Sequence, residues 1–231
     1  ETWPVPLAGY LIDKFGIRKL MLVGATGILL GWTLGGTVAT TVFHHYICYG
    51  AIAGTGAGII YIATVANAVK WFPDKRGLAA GLTAAGFGGG SALTLIPISA
   101  TISSMGWQGA MAAWGLGQGL VAIACALVLY HPPVGWLPPN WIQPKAVAQT
   151  RKQFTAKEMM SSTEFYVMYF MFLMVCTGGL MTTGNMSQIA KSLNVFDAKI
   201  WGIAIVPFGA TIAGVTNAFA RIRGGGISDR F

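Results

Sequence analysis

Apolar residues in this chain come in runs of about twenty, cut by short polar breaks. A bilayer core of about 30 Å needs about 20 mostly apolar residues per helix. Six stretches meet that length: Leu20–Val42, Tyr46–Val69, Leu78–Ser103, Met111–Tyr130, Phe165–Met186 and Trp201–Ile222. A seventh, Thr2–Ile12, is partial. The pattern predicts an all-α polytopic membrane protein with six full transmembrane helices. One break is long. Residues 131–164 open with Pro and Trp (His131-Pro132-Pro133, then Trp136-Leu137-Pro138-Pro139-Asn140-Trp141) and then turn basic. Thr155-Ala156-Lys157-Glu158 fits a capping box, so a short surface helix is expected there. The segment reads as a linker between two membrane domains, residues 1–130 and 165–231, with a peptide-recognition site as the weaker alternative.

Composition closes off other classes. Of 231 residues, 54% are hydrophobic and 10% charged, where a soluble domain is about a quarter charged; mean hydropathy is +0.61. A disordered chain needs low hydrophobicity. Cys48, Cys125 and Cys176 form no disulfide framework. The net charge of +8 does not make a nucleic-acid binder, whose charges would share a patch without such apolar runs. The charges instead alternate by loop. Lys14, Arg18, Lys19, Lys70, Lys75, Arg76, Lys145, Arg151, Lys152, Lys157, Arg223 and Arg230 fall on one side of the spans, Lys191 and Lys199 on the other. The positive-inside rule assigns the rich side to the cytoplasm.

A motif recurs. Gly9-Tyr10-Leu11-Ile12-Asp13-Lys14-Phe15 and Gly225-Gly226-Ile227-Ser228-Asp229-Arg230-Phe231 both read Gly, three residues, Asp, basic residue, Phe. Both copies follow a span and lie on the basic side, six spans apart. A six-helix period follows, and with it an expected twelve helices for the whole protein.

Gly9 to Lys19, as Gly-x-x-x-Asp-Lys-Phe-Gly-x-Arg-Lys, resembles the signature loop of the major facilitator superfamily, found between helices 2 and 3 with a weaker copy between helices 8 and 9. On that mapping the chain holds the end of helix 2 and helices 3 to 8. The resemblance implies two six-helix halves around a midplane site. Asn67-Ala68-Val69-Lys70-Trp71-Phe72-Pro73-Asp74-Lys75-Arg76-Gly77-Leu78-Ala79, continuing to Gly90, is similar to the helix 4–5 region of oxalate–formate antiporters. So are Glu1-Thr2-Trp3-x-x-Pro6, Glu158-Met159 and Asn217-x-x-x-Arg221.

Arg221 is the first candidate for substrate binding. It lies about 12 Å into its helix, counted back from Asp229 at 1.5 Å per residue. A charge at that depth normally faces a polar cavity or a partner, and a guanidinium matches a carboxylate bidentately. The alternative is a side chain snorkelling to the surface. The resemblance places the antiporters' carboxylate-binding helix-8 arginine on Arg221. Asn217, one turn deeper on the same face, orients Arg221, touches substrate or makes an interhelical hydrogen bond. Arg223 reads as an interface anchor. Glu1, roughly 18 Å before Asp13 along a helix, is either a proton or cation site or a carboxylate held neutral by packing. Tyr61 matches an aromatic cavity residue of the oxalate carriers; by spacing alone it is a core or lipid-facing ring. Phe87 stands where the oxalate carrier has Tyr, which leaves room for a larger or less polar monocarboxylate. The resemblance implies a second cation, a lysine, from helices outside this chain.

The signature residues Gly9, Asp13, Lys14, Gly16, Arg18, Gly225, Asp229 and Arg230 read as gating. Asp13 accepts hydrogen bonds near a helix terminus or pairs with Arg18, closing one side in one state, and Asp229 with Arg230 does likewise in the second copy. Glycines spaced by four (Gly27/Gly31/Gly35, Gly54/Gly58, Gly77/Gly81, Gly86/Gly90) predict close helix packing; Gly86 to Gly90 with Pro97 offers a bend. His44-His45 reads as a solvated loop rather than a metal site. Asn185-Met186-Ser187 fits a glycosylation sequon close to the membrane.

The expected function is alternating-access transport of small organic anions such as oxalate or formate, as an exchanger. A proton-coupled monocarboxylate symporter is the alternative within the fold, and a non-transporting sensor or scaffold the alternative outside it. No enzyme constellation, cofactor or metal site is expected. The expected partners are small carboxylates, the bilayer and a coupling proton, with no nucleic acid. The chain is expected to act as a monomer in the plasma (inner) membrane, with signature loops and linker cytoplasmic.

Overall fold

Gly16 makes the first corner: its φ of +82° is a left-handed value that favours glycine. It alone separates α1 (Val5–Phe15) from α2 (Ile17–Thr37). The computed structural model describes residues 5–133, 135–139 and 156–230, the side chains of residues 5, 6, 13, 156 and 157 excepted. After α2 come α3 (Val42–Trp71), α4 (76–105) and α5 (107–128), α6 (Ala156–Met160), α7 (Thr163–Gly184), α8 (Met186–Ser192), strands β1 (Lys199–Ile200) and β2 (Ile203–Ala204), and α9 (Ile205–Ser228). The stretch Arg76–Val128 is unbroken except at Gly106, with φ 75° and ψ 169°, so the break between the predicted spans Leu78–Ser103 and Met111–Tyr130 is a one-residue turn. Five stretches are long and apolar enough to cross a membrane: α2, α3, Arg76–Val128, α7 and α9. With the Gly106 break the last-but-two counts twice, giving the six predicted spans.

Three boundaries depart from the sequence reading, each for a local reason. First, α2 stops at Thr37 and α3 begins at Val42, because the Thr41 hydroxyl accepts the His44 amide at 3.3 Å as an N-cap. His44 and His45 are therefore in a first helical turn rather than a loop, and the His45 ring meets Trp107 edge-on at 5.2 Å. Second, the last span begins at Ile205, not Trp201. Trp201 and Gly202, at φ 51° and 80°, form the corner of the β1–β2 hairpin, whose register pairs Ile200 with Ile203. Two positive φ values at the corner are the requirement of a type I′ turn. Third, the recurring motif lies largely in helix: Gly9–Phe15 ends α1, and α9 continues through Gly224-Gly225-Gly226 to Ser228, with Asp229 and Arg230 in the turn that follows and Phe231 outside the described residues.

By its contacts the chain divides into two units, Glu1–Pro139 with Thr211–Phe231, and Asn140–Ala210. In the first, Ala8, Ile12, Ile17, Leu20, Met21, Ile59, Ala63 and Ala126 form the buried core where α1, α2, α3 and α5 meet. Close approach runs through glycine. A Cβ on Gly24 would lie 2.9 Å from the Gly56 carbonyl oxygen, and one on Gly56 2.5 Å from that of Gly24. A Cβ on Gly31 would lie 2.5 Å from the Cys48 carbonyl oxygen, and one on Gly36 2.5 Å from that of Gln108. The pair Gly86/Gly90 does not take part, since nothing lies within 4 Å of either Cβ position; the pairs that pack α4 include Gly77/Gly81 instead. In the second unit, Ser162 caps α7 by accepting the Phe165 amide at 3.4 Å, and no residue of α7 is buried. A helix apolar on all sides belongs in lipid.

The packing separates two kinds of glycine. Gly31→Ala should destabilise the protein by about 1–3 kcal/mol through overpacking, whereas Gly117→Ala, with open space around it, should be neutral or stabilising through helix propensity. Unfolding midpoints of the two variants in detergent check this, and equal midpoints would contradict it.

Candidate functional site

The first turn of α4 and the last turns of α9 meet along a seam of small residues. Gly77 and Gly225 are set against each other's carbonyl oxygens, and Gly81 against the backbone carbonyl of Arg221. Farther along, a Cβ on Gly88 would lie 3.4 Å from Asn217 Cγ, and one on Gly214 3.0 Å from the Gly88 carbonyl oxygen. Residues 214, 217, 221 and 225 share one face of α9 by their spacing of three and four. Rising numbers on α4 meet falling numbers on α9, so the two helices are antiparallel.

That seam holds Arg221. Its Nε donates to Asn217 Oδ1 at 2.7 Å. Helical side chains tilt toward the N-terminus of their own helix, and here that direction leads away from the chain end and into the span. The guanidinium thus points toward the middle of α9 rather than snorkelling past Ser228. On α3, Tyr61 meets Phe87 of α4 edge-on, ring centroids 5.5 Å apart. Phe87 adjoins Gly88, the residue Asn217 packs against. Of the five sequence candidates, Tyr61 and Phe87 thus form one touching pair and Asn217 and Arg221 another, with α4 carrying Phe87 beside the Gly88 that packs against Asn217. Glu1 lies outside the described residues.

At the chain end, Asp229 does something sharper than the motif alone announces. Lys75, at the N-cap of α4, makes no side-chain cap. Asp229 supplies it from another helix: Oδ1 accepts the Gly77 amide at 2.6 Å and Oδ2 the Leu78 amide at 2.7 Å. These are the second- and third-residue amides that an N-cap side chain normally satisfies, and the helix dipole adds attraction for a carboxylate there. Arg18 works at the opposite kind of terminus, donating to the Leu127 carbonyl near the end of α5, where a cation is favoured. Lys14 Nζ sits 5.5 Å from the centre of the Phe15 ring. Gly9 faces open space while Gly225 is packed tight, so the motif's two glycines have different surroundings. The Arg230 side chain is exposed, and its amide donates to the Ile227 carbonyl at 2.9 Å. The Asp13 side chain lies outside the described residues.

A polar tie went unrecognised in the sequence. Asn67 is the one buried polar residue, 5% exposed, among the described residues. Its Nδ2 donates to the Tyr130 carbonyl at 3.2 Å and its Oδ1 accepts from His131 Nδ1 at 3.0 Å. Trp71 Nε1 donates to the same carbonyl at 3.1 Å, and Trp136 Nε1 to the Trp71 carbonyl at 3.2 Å. The rings of Tyr130 and Trp136 both meet Trp71 edge-on. The stretch after α5 is thereby strapped to the end of α3. The available signal was an amide in an apolar helix, one turn before a Trp.

Two cavities flank this strap. One of about 870 Å³ is lined by Thr64, Asn67, Trp71, Thr83, Cys125 and Tyr130 among others; the other, of about 440 Å³, lies around Lys70 and Arg76. Neither is lined by Tyr61, Phe87, Asn217 or Arg221. Among the described residues no group of three or more His, Cys, Asp or Glu is placed to hold a metal ion.

The family profile described as Major Facilitator Superfamily matches residues 5–231. The chain is 34% identical to the oxalate:formate antiporter of Oxalobacter formigenes over 97% of its own length and 50% of that protein. It is 26% identical to the uncharacterized MFS-type transporter YhjX of Escherichia coli, over 97% of the chain and 53% of the relative. To human monocarboxylate transporter 14 it is 32% identical over 51% of the chain and 22% of the relative. The chain spans about half the length of the first two relatives.

Removing the borrowed cap should loosen α4 at its start. In Asp229→Ala, amide hydrogen exchange of the peptide holding Gly77 and Leu78 should speed up about fivefold, the equivalent of the ~1 kcal/mol typical of a lost cap. Unchanged exchange there would show that the carboxylate does not hold the turn.

Proposed function

We propose, for a chain that belongs to the Major Facilitator Superfamily, that it is part of a secondary transporter carrying small organic anions across the membrane. The observation that carries the reading is a guanidinium held inside a span by an amide, on a helix packed against the α4 segment that bears one of two touching aromatic rings. A cation in a low-dielectric wall attracts a carboxylate far more strongly than one in water, and the fork of Arg binds it bidentately. Asn217 fixes Arg221 before substrate arrives, which lowers the ordering cost of binding. Tyr61 and Phe87 wall the site, and Phe87 carries no hydroxyl to donate to a second carboxylate. The similarity to an oxalate:formate antiporter supports exchange of small carboxylates. The similarity to a monocarboxylate transporter favours the second reading, a monocarboxylate carrier driven by protons.

Transport in this fold rocks two bundles about a midplane site. Asp229 on the start of α4, and Arg18 on the end of α5, are gating contacts: charge-assisted bonds at helix ends that form in one state and part in the other. Their modest energies suffice, because a shift of a few kcal/mol moves a two-state equilibrium across its range. The motif-bearing ends and the linker face the cytoplasm in this reading, on the strength of the positive-inside charge count.

The test is exchange by the full-length protein in liposomes loaded with unlabelled oxalate, with labelled oxalate, formate and lactate outside. Arg221→Gln should abolish exchange, and Arg221→Lys, which keeps charge but loses the fork, should recover only a small part. Asn217→Ala should weaken apparent affinity about tenfold, as expected for losing a hydrogen bond to a charged group, with maximal rate less affected. Phe87→Tyr should shift preference toward oxalate. Full exchange by Arg221→Gln would overturn the site, and lactate uptake that follows a proton gradient with oxalate inert would replace the exchanger by the symporter.

A further inference from the structure

We propose that the cavity of about 440 Å³ at the junction of α3 and α4 binds the phosphate headgroup of an anionic phospholipid. It is lined by Val69, Lys70, Pro73, Arg76, Pro132, Pro133, Gly135 and Trp136. Its chemistry is divided. Lys70 and Arg76 supply two cations, six residues apart across the short turn between α3 and α4, and no Asp or Glu is among the described residues that line the cavity. Val69, the prolines and the Trp136 ring supply apolar wall.

Its place decides what kind of anion fits. Lys70 lies one residue before the end of the membrane-spanning α3, and Arg76 opens the membrane-spanning α4. Trp71, Tyr130 and Trp136 cluster beside them, and aromatic rings of this kind mark the headgroup level. The Trp136 wall is held in place by its hydrogen bond to the Trp71 carbonyl. A free phosphate would use the two cations and ignore the apolar wall. A phospholipid uses both, its phosphate on Lys70 and Arg76 and its glycerol region against Val69 and Trp136. The side assignment agrees, since the positive-inside rule puts this end at the cytoplasmic leaflet, where anionic lipids attract Lys and Arg.

The site is separate from the carboxylate site proposed above: it shares no residue with it, and it stands whether or not the protein exchanges anions. Its test is lipid selectivity. The full-length protein is reconstituted in phosphatidylcholine with spin-labelled phosphatidylglycerol or spin-labelled phosphatidylcholine, and the motionally restricted fraction is read by electron paramagnetic resonance. The expected result is a preference for the phosphatidylglycerol probe that falls about fivefold with each of Lys70→Gln and Arg76→Gln, the effect of one cation near a membrane surface. Arg76→Lys should keep it, and Lys191→Gln should leave it unchanged. No preference in the unaltered protein would overturn the proposal whatever the variants do. So would a preference that survives the double substitution. Displacement of the labelled lipid by soluble glycerol 1-phosphate would also overturn it, by showing a site for free phosphate.

Discussion

Lipid tails are as apolar as leucine, so helices in a bilayer gain little by hiding apolar faces from one another; they associate through close contact. In this chain close contact means glycine. At the tightest approaches, of Gly24 and Gly56, of Gly31 to Cys48, and of Gly77 and Gly225, the glycine has no room for a Cβ. The candidate site depends on the last of these. Because Gly77 and Gly81 admit the backbone of α9, Arg221 and Asn217 are brought beside the α4 segment that carries Phe87, and Asp229 reaches the amides of Gly77 and Leu78. A bulkier α4 would push Arg221, Asn217 and Asp229 away together.

Much of this architecture was legible in the chain. The six runs of apolar residues are the six spans, since length and hydropathy are what a bilayer selects. The second copy of the recurring Gly-x-x-x-Asp motif contains the carboxylate, Asp229, that caps α4. The ends of elements were harder. Thr41 as a cap and Trp201-Gly202 as a hairpin corner are decided by a single hydroxyl and two backbone angles, which a hydropathy count averages away. The glycine pairs were legible as a class but not one by one: Gly86 and Gly90 have the same spacing as Gly77 and Gly81, and only the neighbouring helix distinguishes them.

The site shows the same division. Arg221 announced itself, because a charge within a span must be accounted for. That its partner is Asn217 follows from a one-turn spacing, and the direction of the guanidinium follows from helix geometry. The strap from Asn67 to Tyr130, His131 and Trp136 was not legible, because it joins residues about sixty positions apart, largely through backbone carbonyls that carry no sequence signature. It converts the start of a long polar segment into an extension of the membrane bundle.

Asp229 grips α4 by peptide amides rather than by side chains. A contact of that kind is nearly blind to heredity on one of its two sides. Mutation can rewrite Leu78 widely without the carboxylate registering the change, because every residue but proline offers the same N–H. The partner position is under the opposite rule: only an acidic side chain of this reach restores both bonds. Variation in descendants of this chain should therefore be lopsided, with drift permitted at Leu78, but not at Gly77, where packing against α9 admits no Cβ, and forbidden at the residue that holds them.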